Sequence, residues 1–197
     1  LPVGIRPQAI GVFHTAWRQD SWSVCNHKYL GMSYNEDRQF TKPRTTLMEA
    51  FRLDSLDGET AFFLGNACRG SNFEEEAICY YNKAIKLNQP DPGTMKTLYS
   101  QLAEVYKVLH RFDEAFEAYD KALEFNPDDH KIYFRIAQTY DRNLNQKKTA
   151  IEYYEKFLSL SSVEPPLPDE SESPETALER QARLRINQLK EELFFEE

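Results

Sequence analysis

Four histidines, three cysteines and a surplus of carboxylates are the side chains of this sequence that could act on a substrate, and their spacing does not assemble a catalyst. His14, His27, His110 and His130 form no i, i+4 pair and no His-x-x-Glu arrangement for a metal. Cys25 and His27 are two residues apart on one predicted helix and so point in different directions. No Gly-x-Ser-x-Gly elbow is present, and the seven glycines form no phosphate-cradling loop. Cys25, Cys68 and Cys79 are an odd number without close pairs, which argues against a disulfide framework or a zinc site. Glu74-Glu75-Glu76 reads as a helix N-terminus that complements the dipole. The expectation is a non-enzymatic chain without cofactor or metal. The chemistry left is recognition. Phe62, Phe63 and Phe134 are aromatic, Asn66 and Gln101 are amides, and Lys131 and Arg135 are cations. Such a set suits an extended peptide: amides bond its backbone, aromatics hold its side chains, and cations meet a carboxylate.

The elements that must position these residues recur along the chain. Leu30-Gly31…Tyr34, Leu64-Gly65…Cys68, Leu102-Ala103…Tyr106 and Ile136-Ala137…Tyr140 are versions of one phrase, stepped by 34, 38 and 34 residues. A second phrase follows each: Pro43…Leu47…Ala50, Ala77…Tyr81…Ala84, Ala115…Tyr119…Ala122 and Ala150…Tyr154…Phe157. Spacings of four and seven put these side chains on one helical face. The small residue lets a neighbouring helix approach, and the aromatic or Leu fills the space beside it. Each unit is therefore a helix pair. In one unit, Tyr99, Leu102, Ala103 and Tyr106 form the packed stripe of the first helix, and Phe112, Ala115, Tyr119 and Ala122 that of the second. Asn126-Pro127-Asp128-Asp129 ends that pair and caps the next. Cys68 takes a packing position held elsewhere by Tyr, so a buried, inert thiol is expected there.

This pattern resembles the tetratricopeptide repeat, a helix-turn-helix unit of about 34 residues. The resemblance implies an all-α, right-handed α-solenoid over residues 1–160, with repeats at 24–57, 58–91, 96–129 and 130–160. The register extends to Ala9…Phe13…Ala16, so a half-repeat at 9–23 is expected, the remnant of a longer surface. Gln89–Gly93 reads as a rigid loop, and one extra residue lies within Arg142–Thr149. A linker rich in Pro, Ser and acid follows at 161–173, expected to be extended and mobile. An amphipathic helix at 174–195, with Ser173 as N-cap, then closes the stack. Its apolar face is Leu178, Ala182, Ile186, Leu189 and Leu193; Glu179, Arg180, Arg183, Lys190 and Glu191 make its polar face.

In such repeats the first helices line the concave groove. The resemblance thus implies that Phe62, Phe63, Asn66, Gln101, Lys131, Phe134 and Arg135 face a ligand there. Members that bind chaperone tails clamp a carboxylate with a Lys, two Asn and a Lys-Arg pair. Asn66, Lys131 and Arg135 match that set and Gln101 substitutes for the second Asn, but Phe62 stands where the first Lys belongs.

Composition bounds the partners. A net charge of −8 disfavours nucleic acid and anionic membrane. No apolar run approaches the ~18 residues of a membrane span. The expected function is a protein-interaction module that binds a peptide or protein in its groove. The alternatives are a structural segment that self-associates through its N-terminal edge, and a sensor module of a protein whose catalytic or DNA-binding domain lies elsewhere. Nothing in these residues selects a compartment.

Overall fold

The computed structural model describes residues 41–87, 91–161 and 174–196. The expected half-repeat, its N-terminal edge and residues 162–173 lie outside them. The described residues form helices joined by short turns: α1 (Thr41–Leu53), α2 (Gly58–Gly70), α3 (Glu74–Leu87), α4 (Pro92–Val108), α5 (Phe112–Phe125), α6 (His130–Arg142), α7 (Lys147–Leu160) and α8 (Pro174–Glu196). The chain divides into two compact units, Leu1–Ala118 and Tyr119–Glu197.

In the first unit, α2 packs on α1 and α3, and α3 on α4. The small residues of the sequence phrase lie where two helices come closest. A Cβ placed on Gly65 would sit 2.7 Å from two ring carbons of Tyr81, so only glycine lets α3 approach this near. Leu64, Cys68, Ala77, Tyr81 and Leu98 are fully buried around that contact. Burial pushes the Cys68 thiol up to about 11, as befits an inert packing residue. Arg44 of α1 reaches across to α3: it pairs with Glu76 at 2.6 Å and lies 3.9 Å over the Phe73 ring.

Short polar side chains set the helix starts. Asp57 accepts from the backbone of Glu59 and Thr60 at α2, and Asp129 accepts from the Lys131 N–H at α6. Asp91 caps α4 and accepts from the Thr94 N–H at 2.8 Å. Pro92 occupies the first turn of α4. The punctuation expected as loop up to Gly93 is therefore a helix start from Pro92 onward, where the missing N–H of proline costs nothing.

The turns inside the pairs share one device. Asn72 and His110 have φ of 59° and 57°. Phe73 and Arg111 donate back to the carbonyls of Cys68 and Tyr106, five residues earlier, and close the helix end. Asn145 has φ of 51°, but there Gln146 donates to Tyr140, six residues earlier. The wider turn takes up the extra residue seen in the sequence.

In the second unit, α8 docks on α7. Ala182, Ile186 and Leu189 are buried in one cluster with Phe134, Ala137, Ala150, Ile151, Tyr154 and Phe157, and Leu178 and Leu193 pack at its margin. The stripe expected to cap the stack does so. Glu179 departs from its expected place on the polar face. It is buried and accepts a hydrogen bond from the Ser161 hydroxyl, because Ser161 at the end of α7 comes close enough to satisfy it.

Candidate recognition surfaces of the helical repeats

In the first unit, Phe62, Phe63 and Asn66 lie on α2 and are half-buried, as is Gln101 on α4. The Asp57 cap fixes the start of α2, and one turn of helix then sets Phe62 above Asn66. The Phe62 ring leans on Phe63, at 5.3 Å between centroids, and on Tyr81, at 6.3 Å. The Tyr81 hydroxyl donates to Asn66 Oδ1 at 2.7 Å. Burial pushes that hydroxyl up to about 12, so it stays a donor at neutral pH. The bond holds the Asn66 carboxamide in place and leaves its amide nitrogen as the group that can donate to a ligand.

In the second unit, Lys131 and Arg135 lie one turn apart on α6, Lys131 exposed and Arg135 half-buried. The Asp129 cap joins them to the helix start. Phe134 is a correction to the expected surface. It is only 6% exposed, with its ring 5.6 Å from Tyr154 and 5.1 Å from Phe157. It lies three residues before Ala137, on the side of α6 that receives α7, and is a core residue. The remaining predicted residues are thus Phe62, Phe63, Asn66 and Gln101 in one unit and Lys131 and Arg135 in the other.

The second unit also holds a polar network that the sequence reading did not single out. Asp141 is buried, and Arg185 of α8 grips it with two hydrogen bonds of 2.8 Å, from Nε and from one terminal nitrogen. The other terminal nitrogen reaches Glu192 at 3.0 Å. Tyr154 donates to Asp141 at 3.3 Å, and its hydroxyl is pushed up to about 12 by burial. Lys147 bonds both Glu192 and Glu196. Its hydrogen bond holds the Glu192 carboxyl below the usual range. The available signal was Asp141 itself, a carboxylate one turn after Ala137 on the packed side of its helix. Among the described residues, no group of His, Cys, Asp and Glu could hold a metal ion, and no helix is long and apolar enough to cross a membrane.

Two tetratricopeptide repeat family models match the chain, at residues 97–129 and 118–152. The chain is a tetratricopeptide repeat protein. Its structure superimposes on the crystal structure of MamA with a TM-score of 0.68 and 25% identity, over 77% of this chain and 86% of that one. On Cut9 in the APC/C Cut9–Hcn1 hetero-tetramer the TM-score is 0.66 at 22% identity, over 89% of this chain and 32% of that one. A curated relative, the UDP-N-acetylglucosamine–peptide N-acetylglucosaminyltransferase of Giardia intestinalis, is 28% identical over 128 residues. That stretch is 64% of this chain and spans 8% of the enzyme. Tetratricopeptide repeats are scaffolds for protein–protein interaction, so this repeat fold points to a non-catalytic module with protein partners.

Proposed function

We propose that this tetratricopeptide repeat protein binds an extended peptide segment of a partner protein through the first helices of its repeats. The observation that carries the reading is the pairing of Phe62 with Asn66 on α2. An aromatic face lies one turn from a carboxamide that Tyr81 already holds rigid. A fixed amide lowers the ordering cost of binding a peptide backbone. Within the first unit, Phe62 and Phe63 supply apolar contact and Gln101 a second amide; within the second, taken by itself, Lys131 and Arg135 attract acidic groups. With Phe62 in place of a clamp lysine, the reading favours apolar and backbone contacts over capture of a terminal carboxylate.

Pull-down with this chain followed by peptide mapping supplies the partner segment. Titration then compares wild type with Phe62→Ala/Asn66→Ala and with Lys131→Ala/Arg135→Ala. Each double variant is expected to bind at least about tenfold more weakly, near the 1.4 kcal/mol of a modest hot spot. Equal affinities for all three proteins would sink the reading.

The Giardia relative favours a second reading, in which these repeats recruit substrates for a catalytic domain carried elsewhere. Sequencing the flanking coding region tests it: a glycosyltransferase domain there supports it, and flanks made only of further repeats refute it.

A further inference from the structure

The last turn of α2 carries a cation, Arg69, on the same face as Phe62 and Asn66. The three follow at intervals of four and three, the spacing of neighbours on a helix surface. Phe62 and Asn66 are half-buried, and Arg69 is exposed. Tyr81 of α3 is fully buried and donates from its hydroxyl to Asn66 Oδ1 at 2.7 Å. Burial raises that hydroxyl, and the charge of Arg69 close by works against the rise. One buried phenol thus lies beside both polar groups of the row.

The charge of Arg69 is not used up by its surroundings. The phenol beside it is neutral. Among the described residues no ion pair includes Arg69: Glu76 pairs with Arg44, and Glu104 with Lys107. In the last turn of α2 it faces the negative end of the helix dipole, which amounts to about half a unit of charge. A carboxylate complements what is left, because the planar guanidinium presents paired N–H donors to its two oxygens. The row also sets a spacing. Phe62 and Arg69 lie about 10 Å apart along the axis of α2. A polyproline II segment rises about 9 Å in three residues and brings the third side chain back to the same side. Its backbone makes no internal hydrogen bonds, so a carbonyl between the two contacts is available to the Asn66 amide. A β-strand puts same-side neighbours about 7 or 13 Å apart and fits the row less well.

We propose that Arg69 is a specificity-determining residue of the peptide site: it selects a polyproline II segment with an acidic residue three positions from an apolar one. The apolar side chain lies on Phe62, the Asn66 amide donates to a carbonyl between them, and the carboxylate pairs with Arg69. This selection rests on the proposed function, in which the first helices of the repeats bind an extended peptide, and adds the class of partner. The anion is a side chain within the segment rather than a chain terminus, and all three contacts lie on α2.

Fluorescence anisotropy with the full chain tests the assignment. The probe is the fluorescein-labelled peptide Pro-Glu-Pro-Pro-Leu-Pro-Pro-Glu-Pro, which offers the spacing in either direction. Its counterparts carry Gln or Lys for Glu, and a further one has both Glu directly beside Leu. The proteins are wild type, Arg69→Gln, Arg69→Glu and Phe62→Ala/Asn66→Ala, and unchanged helical circular dichroism confirms that each folds. Wild type is expected to prefer the Glu peptide at least fivefold over the Gln peptide and at least threefold over the adjacent-Glu peptide. Arg69→Gln should bind the Glu and Gln peptides alike, and Arg69→Glu should prefer the Lys peptide. The Phe62/Asn66 variant should bind the Glu and Gln peptides more weakly than wild type does. No saturable binding of the Glu peptide to wild type, equal affinity of wild type for Glu and Gln or for the two spacings, or an undiminished Glu preference in Arg69→Gln would overturn the assignment. Loss in the Phe62/Asn66 variant with no change in either Arg69 variant would also overturn it, while leaving the proposed function standing.

Discussion

At the scale of single residues, the small position of each repeat is where sequence and packing meet most directly. Gly65 stands where the following repeats carry Ala103 and Ala137, and the difference has a measurable consequence. A methyl group on Gly65 would meet the Tyr81 ring at 2.7 Å, and that ring is held in place by its bond to Asn66. Gly65→Ala should therefore destabilise the protein by about 1–3 kcal/mol, the usual cost of overpacking, despite the better helix propensity of alanine. Urea unfolding followed by circular dichroism measures this; a gain in stability would show that Tyr81 can move aside. The cysteines give a second check. Cys68 is buried with its thiol pushed up to about 11, whereas Cys79 is exposed. Iodoacetamide at pH 7.5 should modify Cys79 in the folded protein and Cys68 only after denaturation, as read by peptide mass mapping.

Among the elements, α8 is held by charge as well as by apolar area. Its stripe of Ala182, Ile186 and Leu189 was legible from spacing alone, because an amphipathic helix shows its period in any register. Arg185 was not: on a helical wheel it reads as one more solvated cation. Only the folded chain brings it to Asp141, 44 residues earlier. Arg185→Met leaves a buried carboxylate facing an apolar side chain and should cost about 2–4 kcal/mol. The Asp141→Leu/Arg185→Met double variant should recover much of that loss. A double-mutant cycle by thermal unfolding decides the point, and additive losses would mean the pair is not coupled. The acid limb of stability has a related origin. The folded-state pKa of Glu192 is depressed by Lys147 and Arg185. Its contribution is complete above the unfolded value of about 4.3 and is lost as pH falls through the lower folded value. Helicity should therefore decline at a higher pH in Lys147→Ala than in wild type during acid titration.

For the molecule as a whole, the charge balance sets the clearest expectation. With 24 basic and 32 acidic residues, the chain should not retard duplex DNA in a gel at physiological salt. A salt-sensitive shift would mean that a local basic surface outweighs the net charge. The sequence by itself determined the helix pairs, their period of about 34 residues and the stripes through which they pack. These depend on local periodicity, which any amphipathic helix must display. Tertiary structure decided the rest. Phe134 and Glu179 went into the interior although their neighbours in sequence marked them for the surface, because α7 and Ser161 came to lie against them. Tyr81 reached Asn66, and Arg185 closed on Asp141, across 15 and 44 residues of chain. A side chain's role in such contacts is fixed by what another element brings to it, and no pattern within its own helix records that approach.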